Sequence, residues 1–306
     1  MDVSEAPVSR RPLLPDAAAP QRAAGPTFAV AFGGGGARGL AHIHVIQALD
    51  ELGIRPVAIA GSSIGAIIGA GMAAGMTGAE IRDYARGLLG NRAEVLARLW
   101  RARSGTLSGL MTGNGLGVTQ FDVERVLKAF LPTAVPDSFE ELAIPLQVTA
   151  TDYYGHALAV FSQGDLYSAL GASAAIPAVF RPVRRDGKLL IDGGIYNPVP
   201  FDLLEGAAEI VIAVDVVGTP KQGGRKRPSS IDLMFGASQL MMQSITAMKL
   251  KVRRPDVFLH PPVSRFRVLD FLKVEAVMAE TASIREETKR AVAAAVKAHE
   301  KRAAHG

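Results

Sequence analysis

The chain alternates short apolar runs with amphipathic stretches. Phe28 to Phe32 is continuously apolar, too short for a helix, and leads into Gly33-Gly34-Gly35-Gly36. From Ala37 onward Leu40, Ile43, Ile46, Ala48 and Leu49 recur at helical spacing until Gly53 stops them. That pattern predicts a strand, a glycine loop and a helix. Val57 to Ala60 is again short and apolar, so a helical crossover joins two strands, and a crossover of that length predicts parallel pairing. No charge occurs between Pro56 and Ala79. A hydropathy window would take such a run for a membrane span. Gly61-Ser62-Ser63 divides it, however, into a buried strand and a small-residue helix, Ile64 to Ala74, as in an α/β core.

Further along, Thr77-x-x-Glu80 and Asn91-x-x-Glu94 are capping signatures that predict two helices before Arg103. Ser104 to Gly117 is rich in glycine and serine and reads as a surface loop near the site. Ser138-x-x-Glu141 opens a short helical turn, and Pro145 to Thr151 and Ala157 to Phe161 are expected strands around a turn at Tyr154-Gly155. Arg185-Asp186-Gly187-Lys188 predicts a hairpin, because Asp-Gly suits the positive φ of its tightest turns. Its second strand, Leu189 to Ile191, runs into Asp192-Gly193-Gly194. Ile210 to Val217 reads as a buried strand. A Met-rich helix from about Ile231 to Lys251, a strand from Val257 to Leu259 and one long helix from Asp270 to about Lys301 complete the pattern. There is no internal repeat.

Length and composition narrow the picture. The 306 residues would allow two domains, but a single α/β core often reaches this size. The expectation is one domain, residues 27–306, behind a disordered Pro/Ala-rich tail, residues 1–26. Within that tail Ser9-Arg10-Arg11-Pro12-Leu13-Leu14 is like a twin-arginine export signal, yet Pro15, Asp16 and alanines follow instead of an apolar stretch, so export is not expected. The absence of Cys excludes disulfides, thiolate metal sites and a cysteine nucleophile. A net charge of +5, from 34 Lys+Arg against 29 Asp+Glu, is too small and too unpatterned to indicate nucleic acid. It fits weak attraction to anionic surfaces, and the expected location is cytoplasmic with reversible membrane contact.

Gly61-Ser62-Ser63-Ile64-Gly65 fits the G-x-S-x-G nucleophile elbow, in which Ser63 projects from a sharp turn between strand and helix. The helix that follows would aim its N-terminal dipole at an alkoxide or oxyanion. Gly34-Gly35-Gly36-Ala37-Arg38-Gly39 satisfies G-x-G-x-x-G and so competes as a dinucleotide fingerprint. That reading needs an acidic residue at the end of the second strand. Asp50 and Glu51 lie in the helix instead, and the strand ends in Ala60-Gly61-Ser62. Beside Ser63 the same glycines read as a nest of backbone N–H groups for an oxyanion. Arg38 would brace that loop or contact a phosphate, or be an ordinary first-turn arginine. Of the six histidines only His260, before Pro261-Pro262, suits the Ser, Asp, His order of the α/β-hydrolases. Asp192, at a strand end with two glycines behind it, could instead take the Ser63 proton directly if it is desolvated and close; the alternative is an Asp-Gly turn.

These motifs, with Ala172-Ser173-Ala174-Ala175-Ile176-Pro177 and Asp192-Gly193-Gly194-Ile195-Tyr196-Asn197-Pro198-Val199-Pro200, resemble the short bacterial patatin-like phospholipases over about residues 27 to 290. The resemblance implies a three-layer α/β/α sandwich with a mainly parallel central sheet, a variant of the α/β-hydrolase type. It implies a Ser-Asp dyad without histidine, Ser63 as nucleophile and Asp192 as base. The oxyanion hole would lie at Gly34, Gly35, Gly36, Ala37 and Arg38, with Gly39, Gly61, Gly65, Gly193 and Gly194 completing the motifs. Implied substrates are phospholipid or lysophospholipid, with no metal or other cofactor. The alternatives are an acyltransferase of similar fold and a non-catalytic lipid-binding protein. The Met-rich helix, with Met234, Met241, Met242 and Met248, is expected to face the core, or else to line an acyl channel or lid. Lys221, Arg225, Lys226 and Arg227 form a basic loop, either solvated or drawn to anionic lipid.

Overall fold

The computed structural model describes residues 25–102, 121–220 and 228–305; the tail to residue 24, the 104–117 loop and the basic loop lie outside them. Strand β1 (Phe28–Phe32) passes through a 3-10 turn, Gly36–Ala41, into α1 (His42–Glu51), and β2 (Ala58–Ser62) into α2 (Ile64–Ala73). Helices α3 (Gly78–Leu89) and α4 (Arg92–Ala102) start at the expected caps. Thr77 and Glu80 form a reciprocal capping box, and Asn91 Oδ1 accepts from the N–H groups of Ala93 and Glu94. Each cap satisfies donors that a helix start leaves open.

Helix α5 (Val123–Phe130), β3 (Leu146–Asp152), β4 (Ala157–Phe161) and α6 (Leu166–Ser173) follow, then the hairpin β5 (Val183–Arg185) and β6 (Lys188–Asp192). Its turn residues Asp186 and Gly187 both have positive φ, 50° and 76°. Beyond it come β7 (Ile210–Val214), α7 (Ser230–Val252) and β8 (Val257–Leu259). The single C-terminal helix expected from the sequence is two: α8 (Val274–Thr281) and α9 (Ile284–Ala303). The break re-aims the buried stripe. α8 packs on the glycine-loop turn and α3, whereas α9 packs on α1 and β8, and one straight helix could not serve both. Among the described residues no helix is long and apolar enough to cross a membrane.

The strands form one mostly parallel sheet in the order β5-β6-β3-β2-β1-β7-β8, with β4 paired to β3 off this path. Alternation along β1 divides its two faces. Phe28, Val30 and Phe32 enter the larger core, beneath α1, α2 and α9, whereas Ala29 and Ala31 enter a smaller one. On that alanine face a 3-10 turn, Phe201–Leu204, and Leu250 of α7 pack close. Helical elements on both faces make the arrangement an α/β/α sandwich of unequal layers.

Pairing at β3 is what positions the site. Thr149 pairs with Val160 of β4 on one edge and with Ser62 of β2 on the other; Ala150 pairs with Ala159 of β4 and with Asp192 of β6. Strands β2 and β6 therefore share the edge opposite β4. β2 runs parallel to β3 and β6 antiparallel, so their C-terminal ends converge on two consecutive residues.

Candidate active site

Ser63 follows β2 at that convergence, with φ 53° and ψ −125°. Positive φ in a residue with a Cβ is strained, and the surroundings hold it. Its N–H donates to Ser173 Oγ at 2.8 Å. At Gly65 any Cβ would come within 2.2 Å of the Phe32 carbonyl oxygen, so only glycine lets α2 leave the turn beside β1. The Ser63 hydroxyl donates to Asp192 Oδ2 at 2.6 Å. Both residues are buried.

Asp192 is fixed independently of Ser63. Its second carboxylate oxygen accepts from the Gly194 N–H at 2.8 Å, and its own N–H donates to the Ala175 carbonyl. Thr151 Oγ1 donates to the Asp192 carbonyl at 2.9 Å. Burial pushes the Asp192 carboxyl up to about 6, partly offset by the bonds from Ser63 and Gly194. Such a carboxylate is mostly ionised at neutral pH yet more basic than an exposed one.

The glycine loop lies against Ser63, and its donors are not equivalent. The Gly34 N–H donates to the Pro198 carbonyl and the Ala37 N–H to the Val268 carbonyl, so both serve to hold the loop. The N–H groups of Gly35 and Gly36 have no acceptor among the described residues, and both glycines line a cavity with Ser63 and Asp192. Gly36 has φ +61°, and a Cβ there would come within 2.2 Å of the Val268 carbonyl oxygen. Of the loop N–H groups at Gly34, Gly35, Gly36 and Ala37, those of Gly35 and Gly36 are thus the ones left without an acceptor among the described residues. Arg38 braces rather than donates into the site. It is buried, and its Nε donates to the Phe266 carbonyl at 2.7 Å. With its amide turned to suit both neighbours, Gln239 accepts from the two terminal guanidinium nitrogens at 3.0 and 3.2 Å. Burial lowers Arg38 to about 10, against a smaller opposing effect of Asp270.

His42, in α1, is wholly buried and lowered to about 4 by that burial. Its Nε2 bonds to the Gly33 carbonyl at 2.8 Å, where only a protonated Nε2 can serve as donor. His260 sits at the end of β8 with Nδ1 3.5 Å from Asp215 Oδ2, and lines neither cavity that Ser63 opens to. The acidic residues of the dinucleotide reading are also occupied: Asp50 accepts from the Gly78 N–H, and Glu51 pairs with Lys289 and Arg285. Among the described residues no cluster of three or more His, Asp or Glu is arranged to hold a metal ion.

Helix α7 faces the core only in part, through Leu250. Met234, Phe235 and Met242 line the cavity beside Ser63, while Leu233, Leu240, Met241 and Met248 are exposed. The helix is tied down by Lys249, whose Nζ donates to Asn197 Oδ1, to Asp202 and, at 2.7 Å, to the Val199 carbonyl. Burial lowers Lys249 despite the nearby Asp202. These contacts join α7 to the segment after Asp192. Ser173, Thr151, His42 and Lys249 had no role assigned from the sequence. Ser173 and Asn197 stand inside quoted motifs, which is the one signal that could have pointed to them.

The profile described as Patatin-like phospholipase matches residues 30–205. An uncharacterized NTE family protein of Mycobacterium tuberculosis is 36% identical over 224 residues, 73% of this chain and 58% of that protein. The patatin-like phospholipase domain-containing protein 6 of Homo sapiens is 28% identical over 282 residues, 83% of this chain and 19% of that protein. This chain therefore spans little more than half of the mycobacterial relative and a small part of the human one. Among solved structures, full-length ExoU in complex with SpcU, from the type III secretion system of Pseudomonas aeruginosa, aligns with a TM-score of 0.40. There the identity is 14%, over 88% of this chain and 52% of that one.

Proposed function

The chain belongs to the patatin-like phospholipase family, and from that premise we propose that it is a lipid acyl hydrolase working through a Ser63–Asp192 dyad. The observation that carries the reading is the 2.6 Å hydrogen bond from the Ser63 hydroxyl to a buried carboxylate, with two unused backbone N–H groups beside it. Ser63 Oγ bonds to the ester carbonyl carbon as its proton passes to Asp192 Oδ2. The carbonyl electron pair moves onto oxygen, where the N–H groups of Gly35 and Gly36 would receive it. The C–O bond to the leaving alcohol then breaks, and Asp192 returns the proton to that oxygen. A water next gives its proton to Asp192 and attacks the seryl ester. The fatty acid leaves, and the proton goes back to Ser63.

The substrate is an acyl ester of a membrane lipid, and residues 27–306 act as one catalytic unit. Peripheral contact with an anionic lipid surface is part of the reading. It is supported by the exposed Leu240, Met241 and Met248 on α7, the helix that also lines the smaller cavity. The test is the intact mass after fluorophosphonate treatment. Wild type and His260→Ala are expected to gain one adduct, Ser63→Ala none, and Asp192→Asn one only slowly. An unmodified wild type, or loss of labelling in His260→Ala, would overturn the dyad.

A further inference from the structure

Two cavities open at Ser63. The smaller, about 110 Å³, lies toward Arg38, Asp192 and α7. The larger, about 430 Å³, is lined by apolar side chains of α2, α3, α4 and α5, among them Ile67, Leu88, Leu99 and Phe130. Its lining follows α2 away from the nucleophile, through Ile64, Ile67 and Ile68 to Gly71. Gly71 lies eight positions beyond Ser63 along the chain, a helical rise of about 12 Å. Near Gly71 the wall is Ile81 and Met76.

Gly71 needs a reason, because neither its backbone nor its neighbours demand glycine. It sits inside a helix, where glycine is disfavoured by about 1 kcal/mol relative to alanine. A Cβ there would stand 3.4 Å from Ile81 and 3.7 Å from the Met76 sulfur, ordinary contact distances. A side chain larger than a methyl would project from that point against Ile81 and Met76, which belong to the chamber's own wall. A zigzag carbon chain advances roughly 1.3 Å per carbon, so the distance from Ser63 to Gly71 takes about nine carbons. If each methylene fills about the 30 Å³ of a liquid water, the whole volume takes about fourteen.

We propose that this chamber holds the acyl chain attached to Ser63 and that Gly71 sets its length, giving a preference for single chains of about ten to fourteen carbons. The proposal rests on the hydrolase reading, but a binding measurement separates the two. In Ser63→Ala, straight-chain carboxylates from six to eighteen carbons compete with the fluorescent apolar probe 1-anilinonaphthalene-8-sulfonate. In the protein with Ser63 intact, alkyl fluorophosphonates of the same lengths are compared by inactivation rate. Both series should peak at about ten to fourteen carbons. Adding Gly71→Leu should move both optima down by about four carbons, and weaken the longest effective ligand by about tenfold or more. Ile81→Ala, which enlarges the chamber from the opposite wall, should move them up and covers the case in which Gly71→Leu does not fold. An optimum unchanged in both variants, or equal loss at every length, overturns the chamber. Inactivation absent at all lengths, with the carboxylate optimum still shifting, would remove the hydrolase reading and leave an acyl-binding site.

Discussion

Replacing Asp192 by asparagine should strengthen the fold while weakening the chemistry, and the size of the effect depends on pH in a way that can be worked out. Burial raises the carboxyl from 3.8 to about 6. At about 1.4 kcal/mol per pH unit, the charged form is disfavoured in the folded protein by about 3 kcal/mol. Because the folded value lies above the unfolded one, the group's contribution is fully present below 3.8 and is lost as pH rises through 6. His42 has the opposite sign. Its folded value is lowered from 6.5 to about 4, so the stability it contributes is present above 6.5 and lost as pH falls through 4. Between pH 4 and 6 the two slopes nearly cancel in wild type, and only the difference from a variant isolates Asp192. Asparagine keeps the shape but turns an amide nitrogen toward one of the two donors, Ser63 or Gly194, which costs about 1 kcal/mol. Urea denaturation should therefore find Asp192→Asn equal to wild type near pH 4.5 and about 2 kcal/mol more stable at pH 7.5. Fluorophosphonate labelling should fall by about 10² to 10⁴. A stability difference that does not change between those pH values would refute the claim that this carboxylate is charged at the expense of the fold.

In wild type, the labelling rate should rise about tenfold per pH unit below 6 and level off above 7, following ionisation of Asp192; a flat profile from pH 5 to 8 would exclude it as the base. Ser63→Gly should melt above Ser63→Ala by about 1 kcal/mol of stability, because glycine relieves the 53° φ, and thermal unfolding of the pair reads this directly. Two alanines on α2 should act oppositely. Gly65→Ala, driven into the Phe32 carbonyl, should lose about 3 kcal/mol or more, whereas Gly71→Ala should be neutral or gain up to about 1 kcal/mol. Denaturation midpoints of both variants check the contrast.

The parts of the fold legible in the sequence were those with a local cause. A short apolar run, Asp-Gly in a tight turn or a reciprocal capping box announces itself within a few residues. α5 and α6 are capped by lone Asp122 and Asp165, with Arg125 and Ser168 at the third helical position. Neither completes a box, and each helix has only eight residues to show periodicity. The division between α8 and α9 depends on what packs beneath each half, which no local pattern carries. At the candidate site the motifs marked Ser63, Asp192 and the glycines, because at Gly35, Gly36, Gly61, Gly65 and Gly193 a Cβ would collide with neighbouring backbone. Which backbone donors are already engaged was not legible. The carbonyls of Pro198 and Val268 that occupy Gly34 and Ala37 lie 164 and 231 residues further along the chain. Separations of 110 residues and of 47 to 52 residues likewise hide the bond of Ser63 to Ser173 and those of Lys249 to the segment after Asp192.

The meeting of β2 and β6 end to end on one edge of β3 has a bearing on how such a protein can vary. Ser62 and Asp192 pair with successive residues of β3, Thr149 and Ala150, so the spacing of Ser63 and Asp192 is inherited from peptide geometry, much as the pitch of a rack is fixed by its teeth. The helices that line the two cavities are added outside those pairings. Under the proposed function, exchanging them is expected to alter which lipid fits and to leave the Ser63–Asp192 spacing unchanged. A library built on this chain should therefore diversify α3, α4 and α7 and leave β2, β3 and β6 untouched, obtaining new selectivities from one unchanged reaction centre.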